Sequence, residues 1–180
     1  MSGQHTSHTD IPLTARGEKA AVGLGPRLRM IRFQHIFTSP RLRARRTCEL
    51  AGLGAGAQME PDLVEWNYGE FEGRRSVEIL ATHPDWNLFR DGSPGGESPA
   101  QVGARVDRFI ARLRTLDGNV AIFSHGHLGR VLGVRWIGLP VAAAEHFLLD
   151  TVSVSILGHQ HHRAESPAIV SWNLSTSNSE

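Results

Sequence analysis

N-V-A-I-F-S-H-G-H-L-G-R-V, residues 119–131, is the segment around which the rest of the chain is organised. It begins with a continuous apolar run, residues 120–123, which is typical of a strand buried on both faces of a parallel sheet. A Ser-His-Gly tripeptide centred on His125 ends the run, and apolar residues then recur at helical spacing through Trp136. We therefore expect His125 at the carboxyl edge of a sheet, beside the unpaired N–H groups of a helix, where anions and phosphates bind.

Composition limits the class of protein. The chain has 180 residues, 40% of them hydrophobic, which is enough for one domain with a substantial core. Its 19 Lys and Arg residues nearly balance 18 Asp and Glu residues, so the charge does not indicate a nucleic-acid or membrane surface. The single cysteine, Cys48, excludes an internal disulfide and a cysteine-based metal cluster. With no apolar run of ~18 residues and no signal-peptide pattern, we expect a cytoplasmic protein.

The first half of the chain alternates helix and strand patterns. Thr14 is a predicted N-cap for a helix through residues 21–31, which Gly25-Pro26 should kink or split. Residues 35–38 form a predicted strand. Ser39-Pro40 has the form of an N-cap followed by proline at the first helical position, for a helix to about residue 51. Arg43 is then in a first helical turn just beyond a strand end, as His125 is.

The second half continues this alternation. Ser98-Pro99-Ala100-Gln101 has the capping-box form and begins the most regular helix. This helix has one basic face, which we interpret as solvated and which comprises Arg105, Arg108 and Arg112. Residues 152–157 and 168–172 are predicted strands. The H-Q-H-H run between them, residues 159–162, is better interpreted as a hairpin turn than as a metal site.

Together these patterns predict an α/β fold, a three-layer α/β/α sandwich with a mostly parallel central sheet. We expect a single domain over residues 1–174 and a polar tail over residues 175–180. In such a sheet, chemistry is expected at the carboxyl edge of the strands.

The candidate site residues are polar side chains near predicted strand ends, because the phosphate-loop, G-x-G-x-x-G, G-x-S-x-G and H-E-x-x-H motifs are all missing. Arg43 could clamp a phosphate bidentately. Glu65 could act as a general acid if burial raised its pKa. A polar pocket could be lined by Tyr68, Gln4, Thr6 and Ser7. Taken alone, Arg43 is more often a surface residue and Glu65 an ordinary loop carboxylate, and the other four residues could also be ordinary loop residues.

Four motifs, in this order, resemble those of the histidine phosphatase (phosphoglycerate-mutase-like) superfamily. They are G-Q-H-T followed by D-I-P-L-T (residues 3–14), T-S-P-R-L-R-A (38–44), L-V-E followed by Y-G and E-G (63–73), and S-H-G (124–126). The resemblance covers essentially the whole chain. The G-Q-x-T segment and the G-G-E-S loop, residues 95–98, are most similar to the sugar-bisphosphate and acid phosphatase branch.

The resemblance implies a covalent phosphohistidine mechanism without a metal or another cofactor. It makes Arg43 the phosphate-binding arginine, Glu65 the acid that protonates the leaving oxygen, and His125 the second histidine, which stabilises transition-state charge. Contacts to the rest of the substrate are implied for Gln4, Thr6, Ser7, Tyr68 and Gly126, although Ser7 replaces a frequent glycine.

The nucleophile is the largest departure from the family pattern. The R-H-G motif that ends the family's first strand does not occur in this sequence, and His5 and His8 stand in a different sequence context. We expect the sheet to lack that central strand, leaving two neighbouring strands without a partner. Either the native polypeptide begins upstream of Met1, or this is a short form without catalysis. We expect the former, because Arg43, Glu65 and His125 would otherwise serve no purpose.

The resulting functional prediction is a phosphatase acting on a phosphate monoester of a small metabolite, such as a sugar bisphosphate, with the 180-residue form itself inactive. A phosphoglycerate mutase, which uses the same catalytic residues, is one alternative. A non-catalytic phosphate-binding or interaction domain is the other. The expected partner is a small phosphorylated metabolite, with no nucleic acid and no membrane, and homo-oligomer formation stays open.

Overall fold

The computed structural model describes residues 3–163 and 165–175. Within them the α-helices are α1 (Ala15–Leu28), α2 (Leu42–Leu50), α3 (Ser76–Leu80), α4 (Leu88–Asp91), α5 (Pro99–Leu113) and α6 (Gly126–Trp136). The strands are β1 (Phe33–Thr38), β2 (Ala57–Met59), β3 (Asn119–Phe123), β4 (Val154–His159) and β5 (Pro167–Leu174). Short 3₁₀ helices cover Gly54–Gly56, Pro61–Leu63, Gly69–Phe71, Val141–His146 and Gln160–His162. No helix of the described residues has the length and apolar character needed to cross a bilayer.

The central sheet is parallel, in the order β2-β1-β3. Thr38, the last residue of β1, is in register with Met59 at the end of β2 and with Phe123 at the end of β3. β4 and β5 form a separate antiparallel hairpin. In the described part of the chain, β3 pairs on one edge only, with β1, and β4 pairs on one edge only, with β5.

Residues that alternate along the strands pack into two apolar cores, one on each face of the sheet. Ile36 packs with α1 and α2 residues, as do Ala121 and Phe123 of β3. Phe37 points the other way and packs with α5 and α6 residues, including Phe109, at 5.6 Å between ring centroids. Helices therefore cover both faces, and the predicted α/β/α class is confirmed.

Several local predictions are confirmed. The Thr14 hydroxyl caps α1 by accepting a hydrogen bond from Gly17 N. Ser98 and Gln101 form the predicted capping box of α5. The H-Q-H-H run is the turn between β4 and β5. Of the predicted polar tail, residues 176–180 lie outside the described residues.

Two helix predictions were wrong. α1 is a single helix, so the split offered as one outcome of Gly25-Pro26 does not occur, because Pro26 falls in the last turn, where a missing N–H removes only one hydrogen bond. Ser39-Pro40 does not begin α2, which starts at Leu42 after an N-cap residue, Arg41, that makes no side-chain capping bond. The Ser39 hydroxyl forms a hydrogen bond with His125, just beyond the end of β3.

The prediction of a solvated basic face on α5 was wrong for Arg105. Only 6% of this residue is exposed, and its guanidinium forms a bidentate ion pair with Glu97 at 2.7 and 2.9 Å. Arg108 and Arg112 are more exposed, although each pairs with a carboxylate, Asp62 and Glu60 respectively.

Candidate active site

The carboxyl ends of β1 and β3 are joined by two hydrogen bonds. Ser39 N donates to Phe123 O at 2.8 Å, and His125 Nε2 lies 2.8 Å from Ser39 Oγ. Both residues are buried. His125 is also the N-cap residue of α6, so the strand pairing and the helix start together fix its imidazole at the sheet edge, as predicted from the sequence.

His125 is a neutral imidazole at physiological pH. Burial is the main cause that lowers its pKa, to about 4, since the charged form loses solvation. The Glu65 carboxylate opposes this shift, and the charges of Arg43 and Arg41 add to it. A neutral ring at this position can donate one hydrogen bond and accept another.

Arg43 lies in the first turn of α2, beside the same edge. Its guanidinium donates to Thr6 O at 2.9 Å and to Thr9 O at 3.3 Å. These are the hydrogen bonds of the guanidinium within the described residues, and an arginine has five N–H donors. The remaining donors of the planar guanidinium suit two oxygens of one oxyanion.

Glu65 is buried at the N-terminus of α6. Its carboxylate accepts backbone N–H groups from Trp66 at 2.9 Å, Leu128 at 2.9 Å and His127 at 3.2 Å. The last two are unpaired donors of the helix start, where a negative charge is favoured.

The pKa of Glu65 does not shift in the direction that general-acid chemistry would need. Burial alone would raise it, but the neighbouring His127 and His125 rings and the Trp66 and Leu128 N–H groups outweigh burial and lower it. Glu65 is therefore a carboxylate at neutral pH in this structure. The net pKa shift is thus opposite to the one on which the general-acid role predicted from the sequence is conditional.

A tyrosine–histidine pair lies beside Glu65. Tyr68 is buried, and its hydroxyl oxygen is 2.6 Å from His127 Nδ1. Burial raises the pKa of Tyr68, and the charge of Glu65 and a hydrogen bond to it raise it further. His127 is not among the site residues predicted from the sequence. Its signal was the spacing, since His125 and His127 both follow the same strand end.

Three of the four remaining predicted site residues lie in or next to the residue 5–10 loop, and the fourth begins α6. Thr6 contributes its carbonyl to Arg43. Ser7 is buried, and both its N and its Oγ donate to the Glu72 carboxylate, so its hydroxyl is already engaged. Gln4 is exposed, in a β-bridge with Arg75. Gly126, also exposed, is the first residue of α6, where an added Cβ would meet no atom within 4 Å.

Glu72 anchors this loop through a dense set of hydrogen bonds. Ser7 N donates to both carboxylate oxygens at 2.8 and 3.0 Å, and Thr9 donates through N at 3.0 Å and Oγ1 at 2.9 Å. Burial opposes ionisation, but the hydrogen bonds from Thr9 and Ser7 outweigh it and lower the pKa of Glu72.

Arg105 holds the segment that carries Glu65. Its guanidinium donates to the carbonyls of Asp62 at 2.8 Å, Val64 at 2.9 Å and Glu65 at 3.3 Å. The paired Glu97 carboxylate also accepts Asn67 N at 2.9 Å. The buried ion pair thus supports the backbone on both sides of Glu65.

The site contains the elements of anion chemistry at one sheet edge: an arginine with unused donors, a neutral histidine and a buried carboxylate. Arg43 and Glu65 are both close enough for their charges to change the pKa of His125. Among residues 3–163 and 165–175, no group of three His, Cys, Asp or Glu side chains is arranged to hold a metal ion.

Comparison with known proteins gives a consistent result. A family model described as the histidine phosphatase superfamily, branch 1, matches residues 1–175. An acid phosphatase of Mycobacterium tuberculosis is 36% identical over 163 residues, covering 88% of this chain and 80% of the relative. A sedoheptulose 1,7-bisphosphatase of Saccharomyces cerevisiae is 30% identical, covering 93% and 86%.

A solved structure of an open reading frame product from Mycobacterium tuberculosis superimposes with a TM-score of 0.91 at 33% identity, covering 97% of this chain and 91% of that one. Fold, family model and relatives agree with the resemblance seen in the sequence motifs. The chain belongs to the histidine phosphatase superfamily, branch 1.

Proposed function

We propose that this protein hydrolyses phosphate monoesters of a small metabolite through a phosphohistidine intermediate. The observation that carries the proposal is the convergence of Arg43, His125 and Glu65 at the carboxyl edge of β1 and β3. Donors there are placed before the reaction begins, and such fixed donors stabilise the charge that develops on a transferring phosphoryl group.

Arg43 and His125 would hold the equatorial oxygens of the phosphoryl group. Arg43 offers a planar set of N–H donors that fits two oxyanion oxygens. His125 offers a neutral ring whose position is fixed by Ser39. The carbonyls of the residue 5–10 loop hold Arg43, and Ser39 at the paired strand ends holds His125. Little reorganisation of these donors is therefore needed when charge develops on the phosphoryl group.

Glu65 would supply the proton for the leaving oxygen. Its pKa is lowered in the structure, but a phosphate dianion beside it adds like charge and raises a carboxylate pKa. Substrate binding would therefore favour protonation of Glu65, which would later donate this proton to the leaving oxygen. A carboxylate whose pKa responds to the substrate in this way is poised for acid catalysis.

The proposal needs a nucleophilic histidine, which we place upstream of Met1. Three described histidines near the site each have one ring nitrogen in a hydrogen bond: His125 with Ser39, His127 with Tyr68, and His5 through Nδ1 with Arg74 O at 3.0 Å. Within the described residues β3 pairs on one edge only, which leaves an edge where a further strand ending in the family's R-H-G motif would pair.

For the substrate we propose a small phosphorylated metabolite, with sugar bisphosphates as the first class to assay. One relative is a sedoheptulose 1,7-bisphosphatase. The G-G-E-S loop, residues 95–98, which resembles that of the sugar-bisphosphate and acid phosphatase branch, supports the same substrate class. The Glu97 of that loop is the partner of Arg105, so the loop also supports Glu65.

The test compares p-nitrophenyl phosphate hydrolysis by the 180-residue chain with that of a form extended by the upstream in-frame codons. We expect turnover only in the extended form, reduced on the order of 10²–10³ by Arg43→Ala. Arg46→Ala, at an exposed ion pair of the same helix, is the matched control. Equal turnover by both forms would refute the placement of the nucleophile.

Phosphoryl exchange between phosphoglycerates without net hydrolysis would show a mutase.

A further inference from the structure

The residue 5–10 loop is bonded to Glu72 on one side and to the first turn of α2 on the other. Thr9 contacts both sides, because its N and Oγ1 donate to Glu72 and its carbonyl accepts from Nη1 of Arg43. The Thr6 carbonyl accepts from the other terminal nitrogen, Nη2 of Arg43, at 2.9 Å. Two carbonyls of one loop therefore hold the guanidinium, and Glu72 holds the loop.

The same loop holds the start of α2. Arg41, the N-cap residue of this helix, forms no side-chain capping bond. Asp10 supplies a cap from the loop instead, since its Oδ1 accepts the backbone N–H of Leu42 at 2.7 Å, where a carboxylate also complements the positive helix end. The Arg41 guanidinium donates to His8 O at 3.3 Å and to His8 Nδ1 at 3.1 Å. A displaced loop would thus disturb the helix start as well as Arg43.

Both carboxylate oxygens of Glu72 act only as acceptors. Oε1 accepts from Ser7 N, Thr9 N and Thr9 Oγ1, at 2.8, 3.0 and 2.9 Å. Oε2 accepts from Ser7 N and Ser7 Oγ, at 3.0 and 2.7 Å. A glutamine would replace one of these acceptors by an N–H donor, which would meet the donors of either Ser7 or Thr9. The geometry therefore requires a carboxylate here and not merely a polar side chain.

We propose that Glu72 is a positioning residue that orients the Arg43 guanidinium for a phosphoryl group. It acts through the loop and does not itself touch the substrate. An arginine that is already held in its binding orientation loses less conformational freedom when it binds an anion, and for one long side chain this difference corresponds to roughly three- to tenfold in affinity. The inference rests on the proposed function for the presence of a phosphoryl group at Arg43.

The first test observes the Arg43 guanidinium in ¹H–¹⁵N NMR spectra of the 180-residue chain. Hydrogen bonds from both terminal nitrogens hinder rotation of the group, so we expect separate Nη1 and Nη2 resonances, assigned by their loss in Arg43→Ala. Glu72→Gln should merge or broaden these resonances. Arg105 bonds to groups outside the loop, so its resonances should stay unchanged and show that the fold is intact.

The second test measures the affinity for inorganic phosphate by calorimetric titration of the same chain. We expect Glu72→Gln to weaken binding roughly three- to tenfold. In an Arg43→Ala background the same substitution should have little further effect, because a positioning residue acts only through the group that it positions. Glu70→Gln, at an exposed neighbour, is the matched control and should leave phosphate affinity unchanged.

A second variant covers the case in which Glu72→Gln does not fold. Thr9→Val removes one hydroxyl donor to Glu72 and keeps the Thr9 carbonyl that holds Arg43. It should change the Arg43 resonances and the phosphate affinity in the same direction as Glu72→Gln, by a smaller amount.

Unchanged Arg43 resonances in the folded variants, or an equal loss of phosphate affinity with and without Arg43, would overturn the proposal. Equal phosphate affinity of the unsubstituted chain and Arg43→Ala would also overturn it, since Arg43 would then not bind the anion. Neither test involves turnover. Failure of the proposed function would show separately, as lack of p-nitrophenyl phosphate hydrolysis by the extended form.

Discussion

His125 Nε2 and Ser39 Oγ are 2.8 Å apart, and this hydrogen bond joins the ends of two adjacent parallel strands. Ser39 Oγ also accepts the backbone N–H of Arg41 at 3.3 Å, at the start of α2. One buried hydroxyl therefore sets the imidazole and the approach of the helix that carries Arg43.

Ser39→Ala should destabilise the protein by about 1–3 kcal/mol, because it leaves a buried imidazole nitrogen without its partner. Urea unfolding measures the change in free energy. Ser93→Ala is the control, since the Ser93 hydroxyl oxygen is buried and has no hydrogen-bond partner in the described part of the chain. A larger loss for Ser93→Ala than for Ser39→Ala would contradict this assignment.

Stability should decline as the pH falls from 6.5 to 4. Burial lowers the pKa of both His125 and His127 from 6.5 to about 4, so in this window the unfolded chain binds more protons than the folded one. The free energy of unfolding should fall by roughly 3 kcal/mol per histidine.

The combined variant His125→Gln/His127→Phe should flatten the slope between pH 6.5 and 4, whereas His146→Phe should not. The lowered pKa values of Glu65 and Glu72 act in a separate window. Their stabilisation is complete above their ordinary pKa of 4.5 and is lost below it. Urea unfolding at several pH values separates the contribution of the histidines from that of the glutamates. A free energy of unfolding that stays constant above pH 4.5 would contradict the burial of neutral imidazoles.

Glu72→Gln should loosen the residue 5–10 loop. The charge-assisted hydrogen bonds from Ser7 and Thr9 are each worth about 1.5–3 kcal/mol, so amide exchange at these two residues should accelerate at least about tenfold. Glu70→Gln, at an exposed neighbour, is the control. Unchanged exchange in Glu72→Gln would mean that the loop is held without this carboxylate.

Arg105→Met should destabilise the protein by roughly 2–4 kcal/mol, because the partly buried Glu97 carboxylate would lose its ion pair and the carbonyls of Asp62 and Val64 would lose a donor. Adding Glu97→Leu should recover much of that loss. Arg135→Met removes a more exposed bidentate pair with Asp107 and should cost at most about 1 kcal/mol. Equal losses for Arg105→Met and Arg135→Met, measured in urea, would contradict the supporting role of the Arg105–Glu97 pair.

The features that the sequence could predict are those with local causes. Thr14 and Ser98 cap their helices through residues three positions away, and the apolar run before His125 needs only strand periodicity. The position of His125 at the sheet edge follows from the strand end and the helix start that flank it. The position of Arg43 follows in the same way from the end of β1 and the start of α2.

The features that it could not predict depend on distant partners. Ser39 lies two residues before the N-cap of α2, and its hydroxyl forms a hydrogen bond with an imidazole 86 residues away in sequence. Arg105 is buried because the loop containing Glu97 folds back against α5. The pKa of Glu65 is lowered because α6, some sixty residues later, directs the N–H groups of His127 and Leu128 at its carboxylate.

The most direct test of the proposed chemistry is to locate the trapped phosphoryl group. The extended form would be mixed with p-nitrophenyl phosphate, quenched in base, where phosphohistidine survives, and mapped by peptide mass spectrometry. We expect the label on a histidine upstream of Met1, with Arg43, Glu65 and His125 required for its formation and removal. A label on His5 or His125, or hydrolysis with no phosphohistidine at all, would contradict the proposal.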